Sequence, residues 1–255
     1  VRDRGGKAIQ SDILIRGGSV DQTSLMLNGI NFTDARTGHQ THSIPVDMEC
    51  ITGVELIDGV QGVGAYAGAL NIRTDAMYPR YLRLHATGGQ YGYLYTNLSG
   101  NWNSDRADIL AATSYRHSDG YTENTDFSNV NAFVRSRYDA GTLGYFDLQA
   151  GYQTRNFGAN SFYSLQFPNQ YEQTSTTLAS LRWVYTVGQL EAQAYVSYRN
   201  NKDRFELVKS HPEQVPYNYH NTDNYGGAAW LGYSWKLGKT SIGGDFARND
   251  ILSTV

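Results

Sequence analysis

Several groups of side chains have the types and spacing to do chemistry. The stretch from Asn31 to Ser43 is polar and carries Asp34, Arg36, Thr37, His39 and His42. Its carboxylate, guanidinium, hydroxyl and two imidazoles could hydrogen-bond a ligand, and the histidines could ligate one. A solvated loop with satisfied histidines is the competing reading. Two aromatic stretches follow. One holds Phe157, Phe162, Tyr163, Phe167 and Tyr171; the other holds His211, Tyr217, Tyr219 and His220. Such rings can grip a bulky, part-apolar ligand, or pack loop against loop. Asp119 to Asp126 offers oxygen ligands at short spacing, though not at EF-hand intervals, so a hydrated acidic loop competes with a calcium site. Cys50 is the only cysteine, so no internal disulfide can form, and it reads as a small buried apolar residue. No Walker A, HExxH, nucleophile elbow or CxxC occurs. No enzyme activity, cofactor or resident metal is expected.

The elements that would position these groups fall into two textures. Up to residue 78, short apolar runs alternate with glycine: Ile13-Leu14-Ile15, Leu25-Met26-Leu27, Val54-Glu55-Leu56-Ile57 and Leu70-Asn71-Ile72. They suggest short buried strands of a compact α/β domain. Asp47 and Glu49 favour a short helix over Pro45–Ile51. From Tyr81 onward the pattern has period two. Leu190, Ala192, Ala194, Val196 and Tyr198 share one face, while Glu191, Gln193, Tyr195, Ser197 and Arg199 share the other. Strands are expected near 80–89, 91–103, 107–117, 128–138, 142–155, 173–186, 189–201, 222–236 and 239–250. Between them, tight turns alternate with long loops at 118–127, 156–172 and 202–221. Outer-membrane barrels have this asymmetry of short and long connections. Aromatics at strand ends, among them Trp102, Tyr138, Tyr198 and Trp235, suit two interfacial girdles.

The chain has 255 residues, net charge −3 and a mean hydropathy of −0.50. That balance gives no basic footprint for nucleic acid. No apolar run is long enough for a transmembrane helix, but a barrel strand needs only one apolar face.

Four segments then carry a resemblance: Ile15-Arg16-Gly17, Leu25-Met26-Leu27-Asn28-Gly29-Ile30, Ile51-Thr52-Gly53-Val54-Glu55-Leu56-Ile57-Asp58-Gly59, and Ala65-Tyr66-Ala67-Gly68-Ala69-Leu70-Asn71-Ile72-Arg73-Thr74. In order and spacing they resemble the plug of TonB-dependent outer-membrane receptors. The wording of residues 28–45 looks like the branch that includes vitamin B12 (cobalamin) receptors. The resemblance implies a mainly β chain. Residues 1–78 would be the C-terminal part of an α/β plug, and 79–255 about nine antiparallel strands of a 22-stranded transmembrane barrel. Both parts would be incomplete, and the chain is expected to be an internal piece of a longer protein.

The same resemblance implies roles. Arg16 would lock the plug to barrel glutamates, or else pair within the plug. Asp34, Arg36, Thr37, His39 and His42 would lie on a plug loop that rises toward substrate. Phe162, Tyr163, Phe167, Tyr217 and Tyr219 would bind it from the outer loops. Asp58 departs from the family, where an arginine is common, so the plug lock must be wired differently. Partners would be TonB, outer-membrane lipid of a Gram-negative bacterium, a small-molecule ligand and a possible surface lipoprotein. Cobalamin is the first expectation for the ligand, a siderophore or glycan the second. A passive porin or adhesive barrel, and a soluble β-sandwich or lectin, are the rivals.

Overall fold

The computed structural model describes residues 2–4, 10–12, 15, 17–19, 22–34, 36, 43–58, 67–74, 80–209, 211 and 217–254. Strands β1 (Arg2–Arg4) and β2 (Gln10–Asp12) pair antiparallel. A small inner sheet follows, made of β3 (Thr23–Leu27), β4 (Ile30–Asn31), β5 (Gly53–Ile57) and β6 (Gly68–Arg73). Its order is β4-β3-β6-β5, with β3 and β6 parallel and the other pairs antiparallel.

Asn28 and Gly29 join β3 to β4 at φ of 53° and 78°. Two successive left-handed residues make the primed turn that suits a two-residue hairpin, and Asn-Gly adopts it at least cost. The helix expected over 45–51 shrinks to one 3-10 turn at Met48–Cys50. The Asp47 carboxylate accepts from Glu49 N at 3.0 Å. Strand β5 starts at Gly53 and leaves no room for a second turn.

Nine strands form a single antiparallel wall in chain order: β7 (Tyr81–Gly88), β8 (Leu94–Asn103), β9 (Ala107–Ser118), β10 (Phe127–Asp139), β11 (Tyr145–Gly158), β12 (Tyr171–Val187), β13 (Leu190–Glu206), β14 (Asn218–Trp235) and β15 (Gly238–Thr254). All nine lie where period-two alternation places them. Several boundaries differ, for two physical reasons. Strand β8 starts at Leu94, because Tyr91 and Gly92 both take left-handed φ, 57° and 64°, and turn the chain. Strands β12 to β15 run several residues further into the long loops, since a backbone ladder continues where side-chain alternation has lost its apolar phase.

The wall is amphipathic in an inverted sense. Its inner face buries Asn97, Ser99, Asn131, Asp147, Gln149, Thr174, Thr176, Arg199 and Asn201. Its outer face exposes Leu82 at 81%, Leu84 at 78%, Val196 at 62% and Ile242 at 76%. Outward aromatics fall into two rows. Tyr138, Phe146 and Trp183 stand directly opposite one another near the short turns. Tyr198 and Tyr225 pair toward the other end, ring centroids 5.2 Å apart. Ten residues separate Tyr225 from Trp235 on β14; at about 3.3 Å per residue and a tilt near 40°, that is about 25 Å, the height of an outer-membrane apolar band.

The apolar core lies between the two sheets. Leu25, Leu27, Ile30 and Phe32 of the inner layer cluster with Leu110, Ala112, Phe133 and Leu178 of the wall. The inner sheet therefore completes its core on the wall.

Candidate functional site

The seam between inner sheet and wall holds the densest set of polar contacts, in three groups. The first closes on the Asn28–Gly29 turn. Arg135 forks onto Asp147 (Nε to Oδ1 3.0 Å, Nη2 to Oδ2 2.7 Å) and its Nη1 donates to Asn28 Oδ1 at 3.1 Å and to the Thr74 carbonyl at 2.9 Å. Arg182 Nη2 donates to the Asn28 carbonyl at 2.6 Å and lies 3.3 Å from Asp147. Asn28 Nδ2 donates to Gln149 Oε1 at 2.8 Å, and Gln149 Nε2 to the Leu27 carbonyl at 3.3 Å. All the charge is on the wall; the turn contributes only amide and carbonyl groups. Two guanidiniums share one carboxylate, so Asp147 is the counter-charge that lets both be largely withdrawn from water.

The second group holds the segment after β4. Arg199, 1% exposed at its side chain, donates to the Phe32 carbonyl and sits 3.9 Å from Asp34. Arg155 donates to Ser43 Oγ. Arg36 pairs with Asp203 at 2.5 Å. Pro45 packs over Gly151 so closely that a Cβ there would meet Pro45 Cγ at 2.7 Å. Glycine at 151 is what lets the segment lie against the wall.

The third group holds the 3-10 turn. Tyr95 Oη donates to Asp47 at 2.7 Å. Arg83 and His85 reach Glu49 at 2.8 and 2.9 Å. His85 and Arg83 together hold the Glu49 carboxyl below its ordinary range. Cys50, beside it, is buried, and that burial pushes its thiol up to about 11.

The long-loop end forms a mouth. Phe162 packs on Phe157, centroids 6.1 Å apart. Tyr163 meets Phe205 edge-on at 5.0 Å and donates to Glu172 at 3.1 Å. Both partners point inward, so Tyr163 hangs over the inner face while remaining 50% exposed. Phe167 lies partly exposed on the same loop. In the loop at 119–126, Asn124 Nδ2 donates to the Pro168 and Gln170 carbonyls, and Lys209 pairs with Asp126. Among the described residues no group of three or more acidic, histidine or cysteine side chains is placed to hold a metal.

The residues singled out in the sequence therefore separate. Phe162 and Tyr163 come together at the mouth, ring centroids 6.3 Å apart, while Phe167 lies exposed on the same loop. Tyr217 and Tyr219 do not join them. Tyr219 stands opposite Arg204, on the outward phase of β14, and Arg204 lies over the Tyr217 ring at 4.7 Å. Strand parity corrects their expected place: Asp203 and its partner His220 face in, so Arg204 and Tyr219 face out. Asp34 is buried and Arg36 is paired, so both hold the segment to the wall rather than standing open to a ligand. Arg16, Thr37, His39 and His42 lie outside the described residues. Asp58 is exposed just past β5. The wall side chains that grip the inner sheet, above all Arg135, Asp147, Arg182 and Arg199, were not singled out. Their signal was present: each occupies the polar phase of a strand whose other phase is apolar.

No family model matches the chain, and no curated protein matches it by sequence. Solved structures do. The siderophore receptor PiuA from Acinetobacter baumannii superposes with TM-score 0.74 at 12% identity, over 99% of this chain and 41% of that one. The copper transporter OprC gives 0.76 at 19%, over 98% and 42%. The siderophore receptor PirA from Pseudomonas aeruginosa gives 0.69 at 14%, over 94% and 42%. The fold is the one these proteins share. The chain spans about two fifths of their length.

Proposed function

We propose that the protein works as a TonB-dependent outer-membrane receptor, taking up a scarce, bulky substrate rather than catalysing a reaction. The observation that carries this reading is the wall's inversion: apolar side chains outside, and inside a polar face whose arginines clasp a separate sheet. A passive porin has no use for such a clasp, and a soluble sandwich would bury the face that holds Leu82 and Val196. TonB would pull on a segment of the longer protein. The outer-membrane lipid of a Gram-negative bacterium would cover the apolar band, and a surface lipoprotein could close the mouth.

For the substrate, a metal chelate of siderophore type comes before cobalamin. PiuA and PirA are siderophore receptors by name, and OprC is a copper transporter. Tyr163, Phe162 and Phe167 would present rings to such a chelate. The test uses the full-length protein in cells that lack other receptors. Accumulation of labelled ferric siderophore, lost on deleting TonB, is expected. Accumulation of cobalamin alone would replace the substrate, and uptake indifferent to TonB would sink the reading.

A further inference from the structure

An ion pair ties the segment after β4 to the long-loop end of the wall, and a histidine stands beside it. Arg36 reaches Asp203 at 2.5 Å, both side chains largely withdrawn from water. His220 lies directly opposite Asp203 on the β13–β14 ladder. Its Nδ1 meets Ser253 Oγ of β15 at 2.8 Å. Side chains that face each other across two strands stand about 5 Å apart at Cβ. The imidazole is only partly covered, so protons from the long-loop side reach it.

The charges around this imidazole come from several elements. Asp203 faces it from β13, and Arg36 from the inner segment. Arg155 of β11 lies in the field of Asp203 and of Glu172 on β12. Ser253, opposite His220, and Thr174, opposite Asp203, are neutral. While Arg36 is docked it takes Asp203 Oδ2, and Asp203 Oδ1 stays buried without a partner. An imidazolium formed at His220 meets Arg36 as a like charge and competes with it for one carboxylate. Once Arg36 leaves, Asp203 turns to the imidazolium instead. The docked arrangement therefore holds fewer protons at His220 than the released one, and by linkage acid favours release. The other ties of this segment are Arg199 to the Phe32 carbonyl, Arg155 to Ser43 and Pro45 on Gly151. None of these contacts titrates near neutrality.

We infer that His220 is a proton-operated release for the Arg36–Asp203 tie, by which acid on the outer side loosens the segment after β4 without a pull from TonB. Its use in uptake rests on the receptor reading above; the release itself does not.

The test follows amide hydrogen exchange in the full-length protein in detergent, corrected for its intrinsic pH dependence, at about pH 7.5 and about pH 5.5, either side of the ordinary imidazole range. Both values lie above the range in which the Glu49 carboxyl titrates. The amides of Thr33 and Arg36 report the tie, and those of Asn28 and Gly29 are the fixed reference. Exchange at Thr33 and Arg36 about fivefold faster in acid is expected, the worth of a partly exposed ion pair, with the reference unchanged. His220→Gln keeps a polar partner for Ser253 but takes up no proton, and should exchange slowly at both pH values. Asp203→Asn removes the tie itself and should exchange fast at both. A parent with equal rates at the two pH values, or a His220→Gln protein that keeps the acid acceleration, overturns the switch. Equal acceleration at Asn28 and Gly29 marks a general loosening and overturns it too. Uptake indifferent to TonB would sink the receptor reading and leave the exchange result standing.

Discussion

The two turns that the inner sheet offers to the wall are held by opposite arrangements. At Asn28–Gly29 the turn is neutral and the wall carries buried charge: Arg135, Arg182 and Asp147. At Asp47–Glu49 the turn is acidic and the wall answers with the half-exposed Arg83 and His85 and with Tyr95. The first grip contains no titrating group on the inner-sheet turn, and water reaches it poorly. The second depends on the two carboxylates of Asp47 and Glu49. One seam therefore has a fixed point and an adjustable one, and the difference follows from which partner carries the charge.

Removing the counter-charge tests the fixed point most severely. Asp147→Ala leaves two mostly buried guanidiniums without their carboxylate and is expected to destabilise the docking of the inner sheet on the wall by about 3–5 kcal/mol. The urea midpoint of heat-modifiable migration measures it. If Asp147→Ala shifts that midpoint no more than changes at Glu49 do, the contrast between the turns is lost. Asn28→Ala forfeits the Gln149 and Arg135 contacts and forces alanine into a left-handed conformation, with an expected cost of about 2–3 kcal/mol. Asn28→Gly keeps the turn and separates the backbone part from the side-chain part.

Gly151→Ala drives a methyl into Pro45 and is expected to cost about 1–3 kcal/mol. It strains the segment between the two turns, so increased reactivity of Cys50 without loss of the Asn28 grip would localise the give to the adjustable side. The smallest effect belongs to Glu49→Gln, about 1 kcal/mol at neutral pH. Here the sign follows from the depressed carboxyl. Its contribution is full above the ordinary value near 4.5 and is lost as pH falls through the lower folded value. Acidification below 4.5 should expose Cys50 to dithiodipyridine, a reagent that works in acid, in the parent protein. Glu49→Gln should flatten that dependence, and an unchanged acid profile would remove Glu49 from the account.

Much of the wall was legible because inversion of a period-two pattern survives any register: Leu190 through Tyr198 declare their face before their neighbours are known. The Asn28–Gly29 hairpin was likewise written in its own dipeptide. The seam was not legible. Arg135 meets Asn28 across 107 residues, and only the registers of β10 against β11 and of β11 against β12 bring Asp147 between Arg135 and Arg182. Tyr217 and Tyr219 were misplaced for a related reason. Composition reports that a loop is aromatic, but parity carried upward from Arg199 and Asp203 decides which side of the wall its rings take. Asp34 and Arg36 looked available because a polar stretch does not reveal the wall charges waiting for it.

The Asn28–Gly29 turn also bears on the chemical lifetime of the protein. Asn-Gly is the dipeptide in which a backbone nitrogen most readily attacks the preceding side-chain amide and closes a succinimide. Here that nitrogen is engaged by Asn71 Oδ1 at 2.8 Å, and the amide is held by Gln149, Thr74 and Arg135. Docking against the wall thus shields the bond from ageing. A chain delayed before assembly would accumulate aspartate and isoaspartate at residue 28, and peptide mapping of folded and urea-held samples would show the damage in the second alone.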